Sequence, residues 1–180
     1  MDALLEYITT HPDQVNAFAA VSALFVSFVS IVLTVLTLWM QRVHNFKSVT
    51  PIAHSTVSDY EDKVSVGLKN NGIGPMIIEQ FTVSDGQKEK DDIISWMPDL
   101  PIDIFWDTYR GSSDGLPIPS NEETVMIRLV ADPKDNRFSV FRDQVRRVLS
   151  RLTVRVKYKD IYGRRMPLEE RSLTWFGRHF

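Results

Sequence analysis

The sequence contains no cysteine, and its histidines lie far apart. Disulfides, cysteine-ligated zinc sites and thiol catalysis are therefore excluded, and the histidine positions do not have the spacing of a metal site. No nucleophile motif is present. The stretch NNGIGP at 70–75 lacks the Lys-Ser/Thr ending of a phosphate-binding loop. The sequence therefore predicts a protein that is not an enzyme and that has no metal or cofactor site.

Charged residues are absent from residues 17–40, an apolar run of 24 residues. As a helix this run would be about 36 Å long, slightly more than the roughly 30 Å hydrocarbon core of a bilayer. We therefore expect a transmembrane helix over residues 16–41 and a juxtamembrane linker over residues 42–50.

The charges on the two sides of this helix predict its orientation. Asp2, Glu6 and Asp13 precede it, whereas a cleaved signal peptide would begin with a basic cluster. Arg42 and Lys47 follow it. Because cations favour the cytoplasmic side of a membrane, residues 1–15 are expected to form a short external segment and residues 51–180 a cytoplasmic domain.

Small and polar residues interrupt the apolar run at alternating steps of three and four, and we call them the polar seam. They are Asn16, Ala20, Ala23, Ser27, Ser30, Thr34, Thr37 and Gln41. A repeat every 3.5 residues is typical of helices that coil around one another, and small or hydroxyl-bearing side chains promote helix association in lipid. The seam predicts a homo-oligomer.

Three arrangements are compatible with the seam. In the first, copies of the helix pack tightly through it. In the second, four or more copies surround a narrow pore lined by Ser27, Ser30, Thr34 and Thr37. In the third, the stripe is incidental and the helix is a monomeric anchor.

Residues 51–180 are predicted to be mainly β-strand. Alternating apolar and polar residues in DKVSVGLKN at 62–70 and TVRVKYKD at 153–160 are typical of strands with one buried face. Further segments of this kind, separated by turn signals, predict an antiparallel β-sandwich, immunoglobulin-like in the broad sense, with a small β-barrel as the alternative. Gly72 and Gly74 are expected to adopt positive φ in a hairpin.

One segment of the soluble part has helical periodicity. RFSVFRDQVRRVLSRL at 137–152 places Phe138, Phe141, Val145 and Val148 or Leu149 on one stripe. We expect a helix at about 137–150 that packs on the sheets through this stripe.

Charge is divided unevenly along the soluble part. Residues 50–136 contain 7 Lys or Arg and 16 Asp or Glu, whereas residues 137–180 contain 12 and 4. The basic portion predicts a site for an anionic ligand, such as a nucleotide messenger, a nucleic acid or lipid headgroups. Its candidate residues are Arg142, Arg146, Arg147, Arg151, Arg155, Lys157, Arg164 and Arg165. The alternative is that the two portions neutralise each other, within one chain or between protomers.

VSVGLKNNGIGPMII at 64–78, followed by VRVKYKDIYGRR at 154–165, resembles the arrangement in small bacterial single-pass membrane proteins with a cytoplasmic β-domain. In architecture the chain is similar to transmembrane effectors of anti-phage defence, including CRISPR-associated ones whose soluble domain binds a cyclic oligonucleotide and whose helices perturb the inner membrane. These resemblances imply a bacterial inner-membrane location.

The sequence thus predicts a self-associating membrane protein. Its β-domain would bind an anionic ligand such as a cyclic oligonucleotide, and its helices would form a membrane-perturbing or pore-like assembly in a defence response. The alternative is a membrane-anchored adaptor whose β-domain docks a protein partner, through its acidic region or an exposed strand edge.

Overall fold

The chain divides into two compact units, an N-terminal helical unit and a β-domain that begins at Ser48. The computed structural model describes residues 10, 12–99, 104–130 and 136–180. Most of the predicted external segment at 1–15 lies outside the described residues.

The first described helix, α1, extends from Pro12 to Ser48. Asp13 lies in its first turn, where the helix dipole favours an anion. α1 is long and apolar enough to cross a membrane. It continues through residues 42–48, which were expected to form a linker, because no glycine or proline interrupts the sequence before Pro51.

The described part of the β-domain contains nine strands, and every pairing between them is antiparallel. The strands are β1 (Ala53–Asp59), β2 (Lys63–Asn70), β3 (Met76–Ser84), β4 (Glu89–Lys90), β5 (Trp106–Tyr109), β6 (Pro117–Ile118), β7 (Glu123–Val130), β8 (Thr153–Lys159) and β9 (Glu169–Ser172). The first sheet has the order β1-β2-β7-β5. The second has the order β4-β3-β8-β9, with β6 also paired to β3. The predicted antiparallel two-sheet fold is confirmed, and the described strands do not close into a barrel.

The core is formed by apolar side chains from both sheets. Val64, Val66 and Leu68 of β2 are buried, as are Val154 and Val156 of β8, so the apolar face predicted for each strand is confirmed, and burial alternates in β8. β2 differs from the prediction in one respect, because its intervening residues 65 and 67 are buried as well.

Burial of Gly67 on the second face of β2 follows from a hydrogen bond across it. Thr56 of β1 donates its hydroxyl to the Glu123 carboxylate of β7, and Gly67 of β2 lies between them. A Cβ on Gly67 would come within 2.5 Å of Glu123 Oε1 and 2.6 Å of Thr56 Oγ1. Glycine at this position therefore allows β1 and β7 to be bridged over β2.

The second helix, α2, spans Asn136–Leu149, close to the predicted 137–150. Phe138, Val145 and Leu149 are buried in the core, while Phe141 and Val148 pack against it, so the predicted apolar stripe is confirmed. Two 3-10 helices complete the described fold, at Ile94–Trp96 and Thr174–His179. The second of these lies next to α2.

The connection between β2 and β3 corrects one expectation. These strands belong to different sheets, so 71–75 crosses between sheets and is not a hairpin. The described glycines with positive φ are Gly86, Gly115 and Gly163, not Gly72 and Gly74. The reason for glycine here is close approach of the backbone, since a Cβ would lie 2.4 Å from Thr50 O at Gly72 and 1.9 Å from Val49 O at Gly74.

Asn70 fixes the end of the sandwich at which the chain enters the β-domain, which we call the entry end. Its fully buried side chain accepts hydrogen bonds from the N–H groups of Ile52 at 3.1 Å and Gly72 at 2.9 Å, and donates to Gly74 O at 2.7 Å. The same amide is 3.2 Å from the Ile118 carbonyl oxygen. One side chain thus joins the first residues of the domain to the β2–β3 connection and to β6.

Candidate functional site: the polar seam and a basic recess

The polar seam lies on α1, and all of its residues are exposed in the single chain. Ser30 donates its hydroxyl to Val26 O, Thr34 to Ser30 O and Thr37 to Leu33 O, each at 2.8 Å. These bonds to the preceding turn satisfy the hydroxyl protons and leave the oxygens able to accept a bond from a neighbouring helix. The geometry is therefore suited to close helix contact and does not require water.

The eight cations predicted to bind an anionic ligand are not brought to one site. Arg142, Arg146 and Arg147 lie on α2, and Arg151 lies in the turn that follows it. Arg155 and Lys157 lie on β8, and Arg164 and Arg165 lie in the turn between β8 and β9. Several of these cations are held by carboxylates of the same chain.

Arg146 is buried in an ion network. Its Nε and Nη2 atoms lie 2.8 and 2.6 Å from Asp59 Oδ1, and its Nη1 lies 2.9 Å from Asp143 Oδ1. Arg178 Nη2 lies 2.8 Å from the second oxygen of Asp59. The Asp59 side chain is fully buried, so Arg146 has a structural role in joining β1, α2 and the last 3-10 helix.

The cations on the outer face of the second sheet are also paired. Arg155 lies 3.2 Å from Glu170 and 3.0 Å from Glu89, and the hydrogen bond and charge of Glu170, with Glu89, raise its pKa above the ordinary value. Arg165 Nε lies 3.1 Å from Glu79 Oε2. Lys157 donates to Gln80 Oε1 at 2.9 Å. These contacts agree with the alternative of internal neutralisation for this face.

A groove of about 680 Å³ lies on this face, and its lining has both signs of charge. The lining residues are Glu79, Gln80, Asp114, Lys157, Tyr158, Arg165, Met166 and Leu168. An anion entering the groove would meet two carboxylates as well as two cations, so the groove is a poor site for a strongly anionic ligand.

Arg164 is tied to a buried carboxylate, Asp160, at the start of its turn. Burial disfavours the charged form of Asp160, but hydrogen bonds from the Arg164 N–H at 2.8 Å, the Arg164 Nε at 2.6 Å and the Tyr162 N–H at 2.9 Å outweigh it. Together they hold the pKa of Asp160 below its ordinary value. Asp160 therefore stays ionised and fixes the turn.

Asp160 predicts a dependence of stability on pH. Because its pKa is lowered in the folded state, its contribution is complete above the unfolded-state pKa of about 3.9 and is lost as pH falls through the folded-state value. We expect the difference in unfolding free energy between the parent and Asp160→Asn to be constant near neutral pH and to shrink below about pH 4. Urea unfolding of the full chain in detergent across this range measures the difference.

The matched control for this measurement is Asp91→Asn, which changes an exposed carboxylate. The unfolding free energy of this variant should stay close to that of the parent across the pH range. If the difference in unfolding free energy between the parent and Asp160→Asn did not change with pH, the role given to the ionised carboxylate would be contradicted.

A recess of about 360 Å³ lies where α2 ends against the last 3-10 helix, and we call it the basic recess. It is lined by Arg147, Ser150, Arg151, Gly177 and Phe180. The Arg147 guanidinium lies over the Phe180 ring, 4.9 Å from its centroid, and both Arg147 and Arg151 are exposed. No acidic side chain is among these lining residues. Two predicted cations therefore lie together in a recess whose described lining residues carry no acidic side chain.

One strand edge considered for protein docking is occupied by the fold itself. Ser55 on the edge strand β1 donates its N–H to Glu169 Oε1 at 3.0 Å, and its carbonyl oxygen accepts from Arg171. Both side chains come from β9 of the other sheet. At Ser55 the main chain of β1 is therefore not available to pair with an added strand.

Sequence reasoning missed the buried polar residues that organise these features, namely Asp59, Asn70 and Asp160. The signal available was weak, because Asn70 and Asp160 end predicted strands, where turns also favour Asn and Asp, and Asp59 ends β1, a strand that the sequence pattern did not single out. Comparison with protein-family models, curated proteins and solved structures finds no match to this chain.

Proposed function

We propose that this chain is a single-pass protein of the bacterial inner membrane that self-associates through the polar seam. Its β-domain, on the cytoplasmic side, binds an anionic ligand in the basic recess, and binding shifts the assembled helices toward an arrangement that perturbs the membrane, as in a defence effector. Such a shift requires that the ligand bind one arrangement more tightly than the other.

The observation that carries the proposal is the charge of the basic recess. Arg146, Arg155, Arg164 and Arg165 each face a carboxylate, whereas Arg147 and Arg151 line a concave surface without an acidic side chain. Guanidinium groups bind phosphate through paired hydrogen bonds, and an exposed ring such as Phe180 can stack on a base. A nucleotide therefore fits the chemistry of the recess.

The proposal predicts that Arg147→Gln combined with Arg151→Gln abolishes ligand binding. The test is thermal unfolding of the full chain in detergent with a panel of cyclic di- and oligonucleotides. A ligand at one hundred times its Kd stabilises the folded state by about 2.7 kcal/mol, so a binding nucleotide should raise the Tm of the parent by several degrees and leave the Tm of the variant unchanged.

The matched control is Arg155→Gln combined with Lys157→Gln, which removes the same number of cations from the outer face of the second sheet. This variant should keep the nucleotide-induced shift. Because cations also stabilise the carboxyl end of a helix, the Tm of each variant without ligand is measured separately. An equal nucleotide-induced shift in the recess variant and the parent would contradict the proposal.

A further inference from the structure

The entry end of the β-domain has exposed apolar side chains at the tips of two connections. Ile73 is 75% exposed in connection 71–75, and Ile161 and Tyr162 are 48% and 55% exposed in the turn between β8 and β9. The register that pairs Ile77 of β3 with Lys159 of β8 places these two connections side by side. Large apolar side chains grouped in this way indicate a surface that contacts an apolar phase or a partner.

The polypeptide reaches the domain at the same end. The Asn71 N–H donates to Ile52 O at 2.8 Å, and Gly74 approaches Val49 so closely that a Cβ would lie 1.9 Å from its carbonyl oxygen. Val49 directly follows Ser48, the last residue of α1. The candidate membrane span and the entry end are therefore consecutive in the chain.

The length of the connecting segment puts the entry end within reach of a bilayer surface. The uncharged run ends at residue 40, and residues 41–48 continue α1, which adds about 12 Å at 1.5 Å per residue. The headgroup regions of the two leaflets together add roughly 10–15 Å to the thickness of the hydrocarbon core, so the leaflet next to the domain contributes about half of that. A domain that begins immediately after this segment starts close to the lipid headgroups.

We propose that the entry end rests on the lipid headgroups, with Ile73, Ile161 and Tyr162 at the interface. This inference rests on the proposed membrane span and adds a second, peripheral contact with lipid. Tyrosine is enriched at this depth because its ring is apolar and its hydroxyl is polar. Arg165 pairs with Glu79 through Nε, but its side chain is 83% exposed in the same turn, so the rest of its guanidinium is positioned to contact anionic headgroups.

Single cysteines test the proposal, since the chain contains none of its own. Ile73→Cys and Tyr162→Cys are each labelled with a bimane fluorophore in the full chain, in nanodiscs of phosphatidylcholine and phosphatidylglycerol that contain nitroxide-labelled lipid. Gln87→Cys, in the exposed turn between β3 and β4 at the opposite end of β3, is the matched control. We expect quenching at 73 and 162 to be several-fold stronger than at 87.

A label at Leu33→Cys reports separately on insertion of α1. Strong quenching at 33 together with equal, weak quenching at 73, 162 and 87 would overturn the headgroup contact and leave the membrane span in place. That result would also follow if a protein or a second copy of the chain covered the entry end. Absence of quenching at 33 would overturn the proposed membrane span and with it this inference.

Discussion

Replacing Asp59 with alanine is expected to destabilise the β-domain by about 3–5 kcal/mol, because it removes the buried carboxylate of an ion network and leaves the buried Arg146 with the partly exposed Asp143 as its remaining described carboxylate partner. Arg146, itself buried, loses both bonds to Asp59 Oδ1, and Arg178 loses its contact with Oδ2. Urea unfolding of the full chain in detergent, followed by circular dichroism, measures this loss.

Glu79→Ala is the matched control, since it removes a carboxylate that also faces two cations, but on the surface. Arg165 and Lys159 lie 3.1 and 3.5 Å from Glu79, and their side chains are 83% and 36% exposed. Exposed ion pairs contribute about 0–1 kcal/mol, so this variant should remain close to the parent. A destabilisation by Asp59→Ala no larger than that of Glu79→Ala would contradict the structural role of the network.

The Asp59 network also connects stability to the proposed ligand site. Arg146 precedes Arg147, and Arg178 follows Gly177, so the two guanidinium groups held by Asp59 come from the segments that line the basic recess. Asp59 thereby fixes the relative position of α2 and the last 3-10 helix. If the two short segments that form the recess were not held in place, a ligand would have to order them when it binds. The free energy needed for this ordering would reduce its affinity.

The sequence was sufficient to predict the elements whose burial is periodic. The alternation of Val154 and Val156 in β8 and the stripe of Phe138 and Val145 in α2 arise because one face of each element is buried. The continuation of α1 to Ser48 was missed because polar residues at 42–48 were interpreted as a linker, although no residue there breaks a helix.

The partners of the charged residues could not be predicted in the same way. Arg146 and Asp59 are 87 positions apart, and Arg165 and Glu79 are 86 apart, so only the tertiary fold brings them together. The charge division along the chain indicated that neutralisation was an alternative, but not which cations it would involve. Similarly, glycine is required at position 74 because the Val49 backbone approaches it closely. No local pattern in the sequence indicates this approach.

The polar seam predicts the second large effect, a loss of self-association and of membrane leakage when its hydroxyl-bearing residues become leucine. Leucine at Ser27, Ser30, Thr34 and Thr37 removes the hydroxyl groups and blocks close approach of the helix backbones. Mass measurement in nanodiscs and dye release from liposomes test the two effects. Val29→Leu with Val32→Leu, on the opposite face of α1, should change neither, and unchanged association in the seam variant would contradict the proposed interface.

Substitutions that remove the hydroxyl groups but keep the size of the side chains distinguish a tightly packed seam from a water-filled pore. Ser27→Ala and Ser30→Ala, combined with Thr34→Val and Thr37→Val, preserve close approach but remove the polar lining. Tight packing would lose only a modest interhelical contribution, about 0.6 kcal/mol per hydrogen bond, so oligomers should persist in either arrangement. A pore becomes hydrophobic and dewets, so leakage should stop while the oligomer remains. Leakage unchanged from the parent would show that these side chains do not line a path for water.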